Sequence, residues 1–218
     1  DLLRHEAQLL WKLDEYHSIP SVKDFHLIDA TTAVMIMKHI EGKTLEETIA
    51  KKGPLHPEDA SWITERLLGA LHYTHYHGVL HSDVKPENVF IEPRKRDIKL
   101  IDFGLGVYKP TSATKPLGYS PKYAAPELMA GNPPLPESDL YGAGIVMLRA
   151  LGGDVAKKSF RADTPKQLVE FCEELLRYNP ADRPNWQKDN PLARLSDIRH
   201  TVFGRRHMTD DVKKGVAP

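Results

Sequence analysis

His81-Ser82-Asp83-Val84-Lys85-Pro86-Glu87-Asn88 decides the reading of this chain, together with Asp102-Phe103-Gly104, which begins fourteen residues after Asn88. Both segments are polar and irregular. Short apolar runs flank them: Val79-Leu80 before the first, then Val89-Phe90-Ile91 and residues 98–101 between the two. Those runs read as brief strands separated by polar turns, which would hold the polar side chains on rigid supports. The residue types suit transfer of a phosphoryl group to a hydroxyl. That reaction asks for a carboxylate to orient the hydroxyl and accept its proton. It also asks for cations against the phosphate oxygens, and for oxygen ligands to hold those cations. Asp83 can supply the carboxylate and Lys85 a cation, while Asn88 and Asp102 are hard oxygen ligands suited to Mg²⁺.

Toward the N-terminus, residues 57–77 predict a long helix. Ala60, Ile63, Leu67, Ala70, Leu71 and Thr74 form its inner stripe, and Gly78 ends it. Thr44 can cap an earlier helix carrying Glu46 and Glu47 in its first turn. Residues 22–29 and 32–38 predict two strands. The second alternates poorly through Val34, Met35, Ile36 and Met37, as a strand covered on both faces would. Residues 2–16 predict a helix with Leu3, Ala7, Leu10 and Leu13 on one face, ended by Ser18 and Pro20.

Toward the C-terminus, residues 104–136 read as loop, rich in Pro, Gly, Ser and Thr. Residues 140–151 are apolar around the whole circumference, which predicts a helix buried on all sides. Leu168, Phe171, Cys172, Leu175 and Leu176 stripe another helix. The last dozen residues are polar and are predicted to fray.

Composition sets bounds on function. The 218 residues suffice for one large domain or two lobes sharing an interface, with a core that needs no disulfide or metal. The single cysteine, Cys172, excludes an intramolecular disulfide and fits a reducing, cytoplasmic setting. Lys+Arg and Asp+Glu both count 30, which gives no argument for nucleic acid or a membrane surface as partner. No segment approaches the roughly 20 apolar residues of a membrane span. The start shows neither a signal peptide nor an initiator methionine. His72, His75, His77 and His81 come without a His-Glu-x-x-His or Cys pattern, and the first three do not share a helix face. They are expected to be structural, with His81 packed beneath the polar loop.

The two segments resemble the catalytic and metal-binding loops of eukaryotic-type serine/threonine protein kinases. Three further signatures agree in family order: Ala125-Pro126-Glu127 with Ser120-Pro121 and Tyr123 before it, Ser138-Asp139, and Asp182-Arg183-Pro184. The resemblance covers roughly residues 1–186. It implies an α+β, protein-kinase-like two-lobed fold. Residues 1–43 would be a remnant of the N-terminal lobe, one helix and two strands, with the hinge. Residues 44–218 would be a mainly helical C-terminal lobe.

The resemblance also implies roles. Asp83 is similar to the catalytic base, Lys85 to the lysine that contacts the γ-phosphate, and Ser120 to the threonine that steadies both. Asn88 and Asp102 resemble the Mg²⁺ ligands, and Glu6 the glutamate that pairs with the ATP-binding lysine. Met37 resembles the gatekeeper, Lys38 to Ile40 the hinge that binds adenine, and Phe90 the floor under the base. Glu127 and Arg183 would form a structural ion pair. Asp139 would hydrogen-bond the catalytic-loop backbone. The cofactors implied are ATP and Mg²⁺, and the partner is a protein substrate; the oligomeric state is not implied.

Two departures from the family pattern carry consequences. Ser82 stands where His-Arg-Asp loops carry an arginine that receives a phosphorylated activation loop. Activity independent of activation-loop phosphorylation is therefore expected, although Thr111, Ser112 and Thr114 offer hydroxyls there. In addition, neither a glycine-rich loop nor a strand lysine precedes Glu6 in the sequence given. Either these lie upstream, and catalytic competence depends on that segment, or the protein is a pseudokinase acting as a binding or scaffold module. A small-molecule phosphotransferase is a third reading. The Ala-Pro-Glu and Lys-Pro-Glu-Asn segments argue against it, because they shape a platform for a protein substrate. The region after Asp154 is short for an extra helix before Thr164, which implies a reduced docking surface.

Overall fold

A computed structural model describes residues 2–13, 16–29 and 31–204. The chain is α+β. It opens with helix α1 (Leu2–Lys12) and a hairpin of β1 (Val22–Leu27) and β2 (Ala33–Met37). The two strands pair antiparallel with an irregularity between Val22 and Asp24. After β2 comes β3 (Lys43–Thr44), which pairs with β5 (Val89–Glu92); β5 in turn pairs with β6 (Asp97–Leu100). Gly42 sits at this junction with φ +146°, and a Cβ there would lie 1.9 Å from the Ile91 carbonyl oxygen. Only glycine lets the chain leaving the first hairpin cross so close to β5.

The helical body follows. Thr44 caps α2 (Leu45–Lys52) in a capping box with Glu47, each satisfying an otherwise orphaned amide of the other. Helix α3 (Pro57–Tyr76) has Pro57 in its first turn, and its expected inner stripe is buried. The strand pair β4 (Val79–Leu80) and β7 (Val107–Tyr108) brackets the polar loops. Next come a short α4 (Pro126–Met129), the central α5 (Pro136–Ala150), then α6 (Lys166–Leu175) and α7 (Pro191–Phe203). One core runs from Leu9 and Leu10 of α1 to Leu195 of α7. Helix α5 is buried from Ser138 to Leu148, as its all-round apolar sequence predicts. Its Gly142 faces Val84 so closely that a Cβ would stand 2.6 Å from the Val84 Cβ. The core helix is thereby pressed against the loop at 81–88. Among the described residues no helix is long and apolar enough to cross a membrane.

Several expectations are corrected. The first helix ends at Lys12; of the predicted extension, residues 14 and 15 lie outside the described residues. The strand at 33–37 is not covered on both faces. Its burial alternates, leaving Val34 43% and Ile36 46% exposed while Met35 and Met37 turn to the core. An apolar run alone does not distinguish a strand buried on both faces from one with an open face. The 104–136 stretch is not all loop, because β7 and α4 lie within it. Helix α7 was not expected. Its buried stripe is only Pro191, Leu195 and Arg199, too sparse to read by periodicity. The predicted fraying of the last dozen residues falls outside the described residues. Between α5 and α6 there is an Asp154–Ser159 bridge and no helix, as expected.

Candidate active site

The turn Pro86–Asn88 and the strands on either side hold the site together. Val89 pairs with Leu100, and beyond that register the Ile101 amide donates to the Asn88 carbonyl at 2.9 Å. Asn88 and Asp102 are therefore brought to the same end of the β5–β6 hairpin. Both Ser82 and Asp102 have φ +64°, a left-handed conformation that costs a non-glycine residue about 1–2 kcal/mol.

His81 is fully buried under the loop, edge-on to Phe103 at 4.5 Å. Its Nδ1 accepts from the Asp83 amide (3.2 Å) and its Nε2 donates to the Ile101 carbonyl (2.9 Å). One imidazole thus ties the residue next to Asp102 to the backbone of Asp83. The expected structural role of His81 holds.

Asp139, from the first turn of α5, accepts from the amides of His81 and Ser82, both at 2.8 Å, and from His75 Nε2 at 2.7 Å.

The polar side chains of the 81–88 loop converge with Ser120. Lys85 Nζ donates to Asp83 Oδ2 at 2.5 Å and to Ser120 Oγ at 2.9 Å. Asn88 Nδ2 donates to the Asp83 carbonyl at 2.9 Å and lies 3.4 Å from Asp83 Oδ2. With Nδ2 committed there, Asn88 Oδ1 is the atom left for a cation. Asp102 is exposed, and its Oδ1 accepts from Gly104 at 3.3 Å. An amide oxygen and a carboxylate at one hairpin end form a donor set of the kind that binds Mg²⁺.

Glu6 reaches the same region from α1, where its Oε1 accepts from the Phe103 amide at 3.1 Å. Its carboxyl pKa is raised, chiefly by burial and further by Asp102, with the Phe103 bond opposing. Met37 and Phe90 are half-buried, on β2 and on β5 beside β3. Lys38 donates its amide to Ser21, and Ile40 precedes the Gly42 crossing.

The wall beyond Ser120 is held by buried charge. Arg183 binds both carboxylate oxygens of Glu127, at 2.6 and 2.8 Å, and donates to the carbonyls of Arg177, Glu137 and Tyr178. Ser138 adds a third bond to Glu127 at 2.7 Å. Tyr123 OH donates to Glu87 at 2.8 Å, joining the wall to the loop. Two features went unread in the sequence. Glu46 and Arg149 pair through two bonds, at 2.7 and 3.0 Å, between α2 and α5. Trp186 reaches His75 across 111 positions. No local spacing announces partners that far apart.

The family model described as "Protein kinase domain" matches residues 1–190. The serine/threonine-protein kinase PrkC of Bacillus subtilis is 33% identical over 223 residues, spanning 96% of this chain and 33% of its own length. The serine/threonine-protein kinase pkn3 of Myxococcus xanthus is 29% identical, over 93% of this chain and 37% of its own length. An SNF1-related protein kinase catalytic subunit of Arabidopsis thaliana is 29% identical over 86% of this chain and 40% of its own length. The chain thus spans about a third of the length of the curated relatives it matches.

Proposed function

The chain belongs to the protein kinase domain family, and on that premise we propose that it transfers the γ-phosphate of ATP to a serine or threonine hydroxyl of a protein. One observation carries the proposal: Lys85 bridges Asp83 and Ser120 while Asn88 binds the backbone carbonyl of the same aspartate. This arrangement fixes a buried carboxylate beside a cation, as a hydroxyl acceptor site needs.

In this reading Asp83 orients the substrate hydroxyl and takes its proton at a carboxylate oxygen. Lys85 places positive charge where phosphate oxygens gather, and Ser120 holds Lys85 and Asp83 in register. Asn88 and Asp102 would hold Mg²⁺ through Asn88 Oδ1 and the Asp102 carboxylate. Mg-ATP, which protein kinases use, supplies the transferable phosphoryl group and neutralises its charge. Met37, Lys38, Ile40 and Phe90 line the adenine end, and Glu6 orders the loop that carries Asp102. The division into lobes falls at residues 43 and 44, where the Gly42 crossing leads into β3. Tyr123 and the Glu127–Arg183 wall shape the platform for a protein substrate. A buried Cys172, with its thiol pKa pushed well up by burial, suits the cytoplasm.

The test is phosphorylation of a mixed protein substrate with labelled ATP, comparing the wild type with two variants. Asp83→Asn is expected to lower the rate by about 10²–10⁴ while keeping nucleotide affinity. Asp102→Asn is expected to weaken Mg-ATP binding. Asp83→Asn turning over as fast as wild type would remove Asp83 from the mechanism. Nucleotide bound without turnover by the wild type would favour the scaffold reading.

A further inference from the structure

The anchor beneath the catalytic loop does not end at Asp139. Trp186 Nε1 lies 2.8 Å from His75 Nδ1, and His75 Nε2 lies 2.7 Å from Asp139 Oδ2. An indole N–H can only donate, so His75 Nδ1 must accept. The ring proton is then on Nε2 and donates to Asp139. An imidazolium would set a second N–H against the indole N–H, so this pair of bonds admits only the neutral ring, in one tautomer. His75 and Asp139 are 4% and 1% exposed, and water does not substitute readily for either bond. His72 lies beside the indole at 4.9 Å between ring centroids and supports it from α3.

We propose that Trp186 is a positioning residue for phosphoryl transfer, acting through His75 and Asp139 on the backbone of the catalytic loop. The proposal rests on the kinase reading of the site. The chain of bonds is continuous. The indole fixes the His75 tautomer, and His75 orients the Asp139 carboxylate. That carboxylate holds the amides of His81 and Ser82, and His81 holds the Asp83 amide. Trp186 touches none of the reacting groups. It follows Arg183 by three residues, and Arg183 is locked to Glu127. The indole therefore couples the wall of the substrate platform to the loop that bears Asp83. Without it His75 keeps its place on α3, but nothing holds its Nδ1 bare. The tautomer with its proton on Nδ1 points a lone pair at the Asp139 carboxylate, which repels it.

The experiment uses the full chain, as wild type and as Trp186→Phe, which keeps an aromatic ring and removes only the donor. Imidazole ¹⁵N spectra should show wild-type His75 as one neutral tautomer with a bare Nδ1, and Nδ1 at least partly protonated in Trp186→Phe. Amide hydrogen exchange at His81 and Ser82 should be about five- to tenfold faster in the variant, the worth of about one hydrogen bond, while the interior of α5 is unchanged. The turnover number should fall about three- to tenfold, with KM for Mg-ATP within about twofold of wild type. In a His75→Leu background, Trp186→Phe should add nothing further.

A wild-type spectrum with protonated Nδ1 would overturn the proposal. So would unchanged exchange at His81 and Ser82, or a loss of protection spread evenly over the core. The spectroscopic and exchange readouts need no turnover. A chain that transfers no phosphate but gives both expected signatures would refute the kinase reading and leave the coupling of Trp186 to the loop intact.

Discussion

Replacing Glu127 by Gln would test how much of the fold beyond Ser120 depends on one buried charge pair. The Arg183 side chain is 0% exposed and that of Glu127 6%, so neither charge can turn to water when the other is lost. Glutamine keeps one oxygen to accept from Arg183, but its amide nitrogen faces a guanidinium nitrogen, donor against donor. Removing one partner of a buried pair costs about 3–5 kcal/mol, and the retained oxygen puts Glu127→Gln near the lower end. For a chain of this size, about 3 kcal/mol corresponds to a fall in Tm of about 6–12 °C.

The pair also gives a pH signature. Burial would raise the Glu127 carboxyl pKa, yet hydrogen bonds from Arg183 and Ser138 bring it below the ordinary 4.5. A depressed acid stabilises the fold above its unfolded pKa and loses that contribution as pH falls through the folded value. The gap between wild type and Glu127→Gln should therefore be full at pH 7, begin to narrow near the ordinary value of 4.5 and close only as pH falls through the lower folded value. Substituting both partners, as Glu127→Leu with Arg183→Met, should recover little or none of the loss. Arg183 also satisfies the carbonyls of Arg177, Glu137 and Tyr178, and each orphaned group costs about 1 kcal/mol or more. Urea unfolding at pH 7 and at a series of pH values below 4.5 measures all of this. A Glu127→Gln stability within about 0.5 kcal/mol of wild type would refute the reasoning, because it would mean water reaches the pair.

Two further predictions concern other charges. Asp59, in the first turn of α3, is buried with Oδ1 unpaired, and burial raises its carboxyl pKa to about 6, with Glu58 adding and Arg199 opposing. An acid with a raised folded pKa destabilises the ionised fold, so Asp59→Asn should stabilise at pH 7 by on the order of 1–3 kcal/mol. The gain should vanish below about pH 4, and a destabilised Asp59→Asn at pH 7 would contradict it. Ser82 in place of the family arginine leads to phosphotransfer that survives phosphatase treatment; complete loss of activity in a treated sample would contradict that.

The sequence exposed those parts of the site whose partners lie close along the chain. Asp83, Lys85 and Asn88 fall within six positions of one another, and the strand pairing after Asn88 needs only the short apolar runs at 89–91 and 98–101 to bring Asp102 alongside. Helix α5 was legible because burial on every side leaves no polar face to confuse the pattern. The rest depends on partners that no local pattern encodes. The open face of β2 is decided by what covers Val34 and Ile36, not by their own apolarity. Helix α7 carries its signals at the ends, in Asn190, Pro191 and Gly204, and hardly at all in its stripe. The Glu46–Arg149 pair and the Trp186–His75 bond join positions 103 and 111 apart.

The backbone of the site shows why such distant partners matter. Ser82 and Asp102 both adopt a left-handed conformation, and the buried Ser82 hydroxyl has no partner to offset it. Strain of this kind persists only where the surroundings over-determine it. For Ser82 the surroundings are Asp139, which takes its amide and that of His81. For Asp102 they are the Asn88 carbonyl and the His81 imidazole, which fix Ile101 on one side, and Glu6, which accepts from the Phe103 amide on the other. His81 belongs to both sets. Its backbone is held from α5 and its ring holds the strand that leads into Asp102. One buried imidazole thus carries the relation between the two carboxylates that the proposed reaction uses. The stiffness of that relation comes from the helical body, through Asp139.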